Sequence, residues 1–197
     1  LRTRVSFQVA MRHLGGETIY LAPQEVGLGE REAIKDVSRV MARYVDIVAV
    51  RTYGQVIVEE YARHSDIPVI NALTNEEHPC QALADMQTLQ ERWGSVAGRT
   101  IAFIGDGNNV ATSLVHAGLM LGAHMRIATP KGYGLPAEAA DVAARIAVKG
   151  AELKQYVDPF VDVTGAAEIY TDVWTSMGQE VEYAERTKTF SRYQVNE

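Results

Sequence analysis

The sequence predicts an α/β protein made of two lobes, each a parallel sheet flanked by helices. Short runs rich in β-branched and aromatic residues alternate with longer runs that have helical spacing. Polar and charged residues stand directly after several of the predicted strands, and the alternation breaks at Ser95–Arg99 before it restarts. Because strands that alternate with helices form parallel sheets covered on both faces, each side of this break is predicted to form one such lobe.

The first lobe is predicted to span residues 1–94 and to begin with a helix over 3–14. In that helix Phe7, Ala10 and Met11 share one face with Leu14, and two glycines follow as a stop signal. The other elements follow from the same alternation of short apolar runs and helical spacing. We predict strands over 18–21, 46–50 and 68–70, and helices over 30–43, 55–64 and 81–92.

The second lobe is predicted to span residues 95–197 and to repeat the alternation. We predict strands over 100–104, 125–128, 151–156 and 169–173, and helices over 109–122, 136–149 and 159–166. One apolar stripe in the first of these helices is expected to pack in the core; its members are Val110, Leu114, Ala117 and Leu121. In such sheets ligands bind at the carboxyl ends of the strands, so the residues that follow each strand are the candidates for a site.

The composition excludes several classes of function. Apolar residues make up 47% of the 197 residues, as in ordinary globular proteins, and the net charge of −6 disfavours a nucleic-acid or anionic-membrane surface. No run approaches the roughly 18 apolar residues of a membrane span. Cys80 is the single cysteine, so no intramolecular disulfide or cysteine-rich metal site is possible, which fits the cytoplasm. His116 and His124 show no partner spacing and are expected to be structural or exposed.

A first group of residues has the chemistry of an anion site. Arg2-Thr3-Arg4 opens the first helix, where cations oppose the helix dipole unless an anion is bound. Arg51 directly follows a buried strand, and His78 and Gln81 stand three residues apart at the start of another helix. Each feature has a plainer interpretation: a solvated basic turn, a surface arginine at a strand end, and a capping histidine beside an exposed glutamine.

A second group of residues follows two strands of the second lobe. The glycine-rich turn Gly105–Asn109 could begin a dinucleotide-binding fold, but Val110 occupies the third small-residue position. The acidic residue expected about 20 residues on is replaced by Ala128–Lys131. These departures disfavour nicotinamide binding. The other segment is Asp172–Gly178, and for both segments the alternative is a turn stabilised by its own polar side chains.

Taken together, these motifs resemble those of the carbamoyltransferases, and of their ornithine branch in particular. Leu1–Arg4 looks like the tail of the family's Ser-Thr-Arg-Thr-Arg loop, and Arg51 and His78–Asp85 match in order and spacing. Gly105–Asn109 and Asp172–Gly178 look like the family's ornithine-binding segments. The resemblance covers nearly the whole chain.

The resemblance implies a role for each residue. Arg2 and Arg51 would hold the phosphate of carbamoyl phosphate, while Thr3, Arg51 and His78 would face its carbonyl oxygen. Gln81 would hold the carbamoyl amine. The implied ornithine-binding residues are Asn109, Asp172 (toward the α-ammonium), Ser176 and Met177 (through its backbone).

The implied reaction transfers a carbamoyl group from carbamoyl phosphate to the δ-amine of L-ornithine, which gives citrulline and phosphate. The resemblance also implies a cytoplasmic homotrimer in arginine metabolism, with no metal or organic cofactor. Arginine biosynthesis is the expected direction, and the catabolic direction stays open at this point. The alternatives are a carbamoyltransferase for another amine and a non-catalytic homologue that serves in binding or assembly.

The family pattern also leads us to expect an incomplete copy. The serine that opens the phosphate loop would lie before Leu1, which itself stands where the family has threonine. The family's His-Cys-Leu-Pro loop does not appear before Glu197. We therefore expect these 197 residues alone to be poorly active.

Overall fold

The structure is a computed structural model that describes residues 1–29, 31–175 and 180–196. The chain groups into two compact units, Leu1–Ala72 and Leu73–Glu197. The helix predicted over 81–92 is present as Pro79–Trp93 and falls in the second of these units. The predicted domain division between residues 94 and 95 stays a prediction.

The first unit contains four helices and a pair of hydrogen-bonded strands among its described residues. In chain order they are α1 (Arg2–His13), α2 (Pro23–Val26), α3 (Ile34–Met41), β1 (Val48–Arg51), α4 (Gln55–Arg63) and β2 (Val69–Leu73). Its buried core is small and is formed by Ile34, Val50, Val58 and Tyr61. The buried hydroxyl of Ser38 on α3 donates to the carbonyl of Tyr61 on α4 at 2.8 Å, which fastens the two helices together.

The strand predicted over 18–21 is wrong, since these residues form no regular element. Ile19 is 68% exposed, and Tyr20 and Leu21 are exposed as well. β-branched and aromatic residues favour a strand only where neighbouring strands and a packed face receive them. The guanidinium of Arg4 lies 4.7 Å from the centre of the Tyr20 ring, so a contact with α1 takes the place of sheet pairing.

The second unit is a four-stranded parallel sheet with helices between its strands. Its elements are α5 (Pro79–Trp93), β3 (Thr100–Ile104), α6 (Asn109–Met120), β4 (His124–Ala128), α7 (Ala137–Ile146), β5 (Leu153–Tyr156), α8 (Pro159–Val163), β6 (Glu168–Thr171) and α9 (Tyr183–Phe190). Short 3₁₀ turns flank α9 on both sides. The strand order is β5-β4-β3-β6, and every pairing is parallel. The predicted α/β architecture is confirmed, while α2 and α9 were not predicted.

The core of the second unit forms around its central strand. Ile101 and Phe103 on β3 have no solvent exposure, and Leu114 of α6 packs into the same buried cluster. The predicted core stripe on α6 is wrong at its end, because the helix ends at Met120 and Leu121 is 39% exposed.

Parallel pairing brings the ends of three strands to one edge of the sheet. Ile104 is in register with both Ala128 of β4 and Thr171 of β6. The glycine-rich turn after β3 and the segment after β6 therefore start side by side, which is where the sequence predicts a ligand. Among the described helices, none is both long enough and apolar enough to cross a membrane.

Candidate active site

The first unit brings Thr3 and Arg51 into direct contact. Arg51 is the last residue of β1, and its Nη1 donates to Oγ1 of Thr3, in the first turn of α1, at 2.7 Å. Arg2 precedes Thr3 in the same turn and is exposed. The N-cap residue of α1 is Leu1, whose apolar side chain supplies no cap to the first turn.

These features suit an oxyanion. A helix N-terminus favours negative charge through its dipole and its free N–H groups. Guanidinium groups add charge-assisted hydrogen bonds, which are shorter and stronger than neutral ones. The first unit can therefore offer Arg2, Thr3 and Arg51 to a phosphate-like group.

The second unit places His78 and Gln81 at the start of α5. His78 is the N-cap residue, and Pro79 is the first helical residue. Proline suits this position because the N–H group that it lacks would have no partner within the helix. The backbone N–H of His78 donates to Oγ of Ser113 on α6 at 2.8 Å. Nε2 of Gln81 donates to Oδ1 of Asp85, one turn further along, at 3.0 Å. Burial raises the pKa of the Asp85 carboxyl, while the hydrogen bond from Gln81 lowers it.

The glycine-rich turn uses its two asparagines differently. Asn108 caps α6, since its Oδ1 accepts from the N–H groups of Val110 and Ala111 at 3.0 and 3.1 Å. Its Nδ2 donates to Oδ2 of Asp172 at 3.2 Å. Nδ2 of Asn109 instead donates to the carbonyl of Thr74 at 2.6 Å. Asn108 was not among the predicted site residues, although an asparagine directly before a helix was a signal for a cap.

A buried ion pair supports the same turn and was not predicted from the sequence. The guanidinium of Arg186 on α9 pairs with Asp106 and also donates to the carbonyl of Trp174. Burial raises the pKa of Asp106, and the charge and hydrogen bond of Arg186 lower it. The pair therefore ties the turn after β3 to the segment that carries Asp172.

The turn after β3 also needs a glycine for steric reasons. A Cβ atom added at Gly107 would lie 2.4 Å from the backbone carbonyl carbon of Gly134. This close approach fixes the path of the turn that presents both asparagines.

Two of the predicted residues lie outside the described residues, namely Ser176 and Met177. Cys80 is half-buried, and burial raises the pKa of its thiol, so the less reactive protonated form is favoured near neutral pH. In the described ranges, no three His, Cys, Asp or Glu side chains cluster closely enough to hold a metal ion.

Two family models match the chain. Residues 1–91 match the aspartate/ornithine carbamoyltransferase carbamoyl-P binding domain, and residues 97–197 match the Asp/Orn binding domain of the same family. The chain belongs to the aspartate/ornithine carbamoyltransferase family.

Relatives within this family are similar over the whole chain. The ornithine carbamoyltransferase of Prochlorococcus marinus strain MIT 9313 is 49% identical over 196 residues, which are 100% of this chain and 62% of that protein. The solved structure of the Pyrococcus furiosus ornithine carbamoyltransferase is 47% identical, with a TM-score of 0.94 over 100% of this chain and 63% of that one. That of the anabolic enzyme from Campylobacter jejuni is 34% identical, with a TM-score of 0.90 over 100% of this chain and 65% of that one. The chain thus spans less than two thirds of the length of these relatives.

Proposed function

We propose that the natural protein containing this chain is an ornithine carbamoyltransferase. It would transfer the carbamoyl group of carbamoyl phosphate to the δ-amine of L-ornithine, which yields citrulline and phosphate. The names of its relatives support the proposal, since the bacterial proteins at 46–51% identity are called ornithine carbamoyltransferases.

The observation that carries the proposal is the placement of Asp172. Its half-buried carboxylate lies after β6, at the carboxyl edge of the sheet, and accepts a hydrogen bond from Asn108. A carboxylate held in this way can bind an ammonium group through a charge-assisted bond worth about 1.5–3 kcal/mol. In the proposal Asp172 receives the α-ammonium of ornithine, and Asn109, Ser176 and the Met177 backbone hold the rest of its amino-acid group.

The carbamoyl-phosphate residues divide between the two units. Arg2, Thr3 and Arg51 belong to the first, while His78 and Gln81 belong to the second. In the proposal Arg2 and Arg51 neutralise the leaving phosphate, and Gln81 holds the carbamoyl amine. Thr3, Arg51 and His78 stabilise the oxyanion that develops on the carbamoyl oxygen, which is where fixed donors accelerate acyl transfer most.

The reaction requires the δ-amine of ornithine to be uncharged. The uncharged amine attacks the carbamoyl carbon, and the bond from that carbon to the phosphate oxygen breaks as phosphate leaves. The amine nitrogen gives up one proton, and the departing phosphate can accept it. Holding both substrates in a reactive arrangement supplies a large part of the rate enhancement. The proposed role of this chain is therefore positioning and charge stabilisation rather than covalent catalysis.

The finer parts of the proposal rest on the family resemblance. We place the protein in the cytoplasm as a homotrimer that serves arginine biosynthesis. The similarity to the Campylobacter jejuni enzyme, whose structure is named as an anabolic ornithine carbamoyltransferase, supports the biosynthetic direction.

An Asp172→Asn variant tests the ornithine assignment. Neutralising this carboxylate removes the charge that would hold the α-ammonium, so the KM for ornithine should rise on the order of 10-fold or more. The KM for carbamoyl phosphate should stay within about threefold, because Asp172 has no proposed contact with it. Steady-state kinetics of the natural protein at saturating co-substrate would measure both constants.

The matched control is Asp141→Asn, an exposed aspartate on α7. This variant should leave both KM values unchanged. An Asp172→Asn enzyme that binds ornithine as tightly as the Asp141→Asn control would remove the assigned role of Asp172.

A further inference from the structure

A chain of hydrogen bonds runs behind His78 in the second unit. His116 Nδ1 on α6 lies 3.2 Å from Oε1 of Glu77, and Oε2 of the same carboxylate accepts from the hydroxyl of Ser113. Oγ of Ser113 in turn accepts the backbone N–H of His78 at 2.8 Å. Glu77 therefore links His116, which has no assigned role, to His78, the N-cap residue of α5.

The geometry around His116 favours one protonation state of its ring. Its Nε2 lies 2.9 Å from the carbonyl oxygen of Ala139 on α7, while its Nδ1 faces the Glu77 carboxylate. An ionised carboxylate and a carbonyl oxygen both accept hydrogen bonds, so this arrangement favours a ring that carries a proton on each nitrogen. The imidazolium is therefore the form that suits both partners. The hydrogen bond to Glu77, opposed by burial, raises the pKa of His116, which agrees with this assignment.

The turn that carries Glu77, residues 74–78, also contacts Asn109, a proposed ornithine-binding residue. Within the turn, Thr74 N–H donates to the carbonyl of Glu77 at 2.9 Å, and Glu77 N–H donates to Oγ1 of Thr74 at 3.0 Å. The carbonyl of Thr74 accepts from Nδ2 of Asn109. One closed turn, residues 74–78, thus holds a proposed carbamoyl-phosphate residue at its end and a proposed ornithine residue at its start.

We propose that Glu77 and His116 are positioning residues that lock this turn, and so hold His78 and Asn109 in fixed relation to each other. The inference rests on the proposed function, because it assigns these residues to that reaction. Neither side chain needs to touch a substrate. The charged His116 ring orients the Glu77 carboxylate, the carboxylate orients the Ser113 hydroxyl, and the hydroxyl oxygen fixes the backbone at His78.

The arrangement predicts a pH dependence with a definite sign. The charged group that faces His116 from the turn before α5 is Glu77, and α7 presents the carbonyl of Ala139. At pH values below its raised pKa, His116 is charged and the chain of bonds is complete. As the pH rises through that pKa, the ring loses a donor and the hold on Glu77 weakens.

The test compares Glu77→Gln and His116→Gln with two controls in the natural protein. Glu76→Gln changes the exposed glutamate next to Glu77, and His13→Gln changes an exposed histidine on α1. Both side chains lie outside the hydrogen-bond network. In Glu77→Gln we expect kcat to fall on the order of 10-fold, with smaller changes in both KM values. The reason is that a misplaced His78 loses more of its stabilising interaction with the transition state than with the bound substrates. The ratio of wild-type to His116→Gln kcat should be largest at low pH and decline as the pH rises.

Two structural measurements separate this proposal from the proposed function. In Glu77→Gln, NMR titration should show a lower pKa for His116, and the His78 amide should exchange faster with solvent. If both changes occur but the wild-type protein never forms citrulline, Glu77 and His116 do hold the turn in place. That result would overturn the proposed function and leave the positioning role standing.

Other outcomes would overturn the positioning role. One is citrulline formation by Glu77→Gln and His116→Gln with the kcat and pH profile of the controls. Another is a kcat that falls only in proportion to the folded fraction, with an unchanged His78 amide. Should Glu77→Gln fail to fold, Ser113→Ala breaks the chain one bond further on and is judged by the same measurements.

Discussion

Two polar residues of the second unit, Asn108 and Glu77, each contact two different groups through their side chains. Asn108 caps α6 through its oxygen and holds Asp172 through its nitrogen. Glu77 accepts from Ser113 with one carboxylate oxygen and faces His116 with the other. Because each of these residues fixes two groups at once, a change at one position should disturb two parts of the candidate site together.

The stability of the protein should depend on pH through His116. The folded-state pKa of this histidine is raised above its usual value of 6.5. The folded state therefore binds the proton more tightly than the unfolded state. Its contribution to stability is fully present below about pH 6.5 and is lost as the pH rises through the raised pKa.

A His116→Gln variant should remove this dependence. The loss in unfolding free energy, measured by urea denaturation, should be larger at pH 6 than at pH 9. A destabilisation that is equal at both pH values would mean that His116 acts by packing alone.

The sequence predicted the polar residues that follow strands but not the partners that support them. Thr3 and Arg51 contact each other, and Asn109 and Asp172 stand at the sheet edge where the alternation of elements places them. The pairing of His116 with Glu77 could not be predicted, because it depends on how α6 packs beside the start of α5. His116 was predicted to be structural or exposed, and the structural alternative agrees with its ring, which lies between Glu77 and Ala139.

At the scale of elements, helix α6 depends on the cap that Asn108 supplies. Replacement of an N-cap asparagine by alanine typically costs about 0.5–2 kcal/mol. We expect a loss in this range for Asn108→Ala in urea denaturation, because two N–H groups of the first turn would lose their acceptor. Asn108→Ser keeps an accepting oxygen and should be less destabilising.

The control for this prediction is Asn75→Ala, at an exposed position of the turn before α5. This substitution should change stability by less than about 0.5 kcal/mol. An Asn108→Ala protein as stable as this control would show that the first turn of α6 does not depend on the cap.

Elements with strong patterns were predictable, and elements that depend on tertiary contacts were not. The continuous apolar run of β3 and the long helix α5 follow directly from the sequence. The apolar run at 18–21 was misread as a strand, because its residues lack the sheet neighbours that the pattern assumes. Helix α9 was missed, since it is held by the buried pair of Arg186 with Asp106 and by Phe190.

At the scale of the whole molecule, the two compact units carry different parts of the proposed chemistry. The first supplies an uncapped helix start and arginines that suit a phosphate. The second supplies the sheet edge where Asp172 and the glycine-rich turn lie side by side. Family membership extends over both units, since the two matched models cover residues 1–91 and 97–197.

The measurement that tests the central claim most directly is the initial rate of carbamoyl transfer by the natural protein that contains this chain. Radiolabelled carbamoyl phosphate would be offered with L-ornithine, putrescine or L-aspartate as the acceptor. We predict citrulline from ornithine, with the other amines at least on the order of 100-fold slower. Putrescine lacks the α-carboxylate, and the single amine of aspartate would have to be the uncharged nucleophile, so neither can present an α-ammonium and an α-carboxylate together with a free reacting amine. Faster transfer to putrescine or aspartate, or no transfer at all by the folded protein, would contradict the assignment.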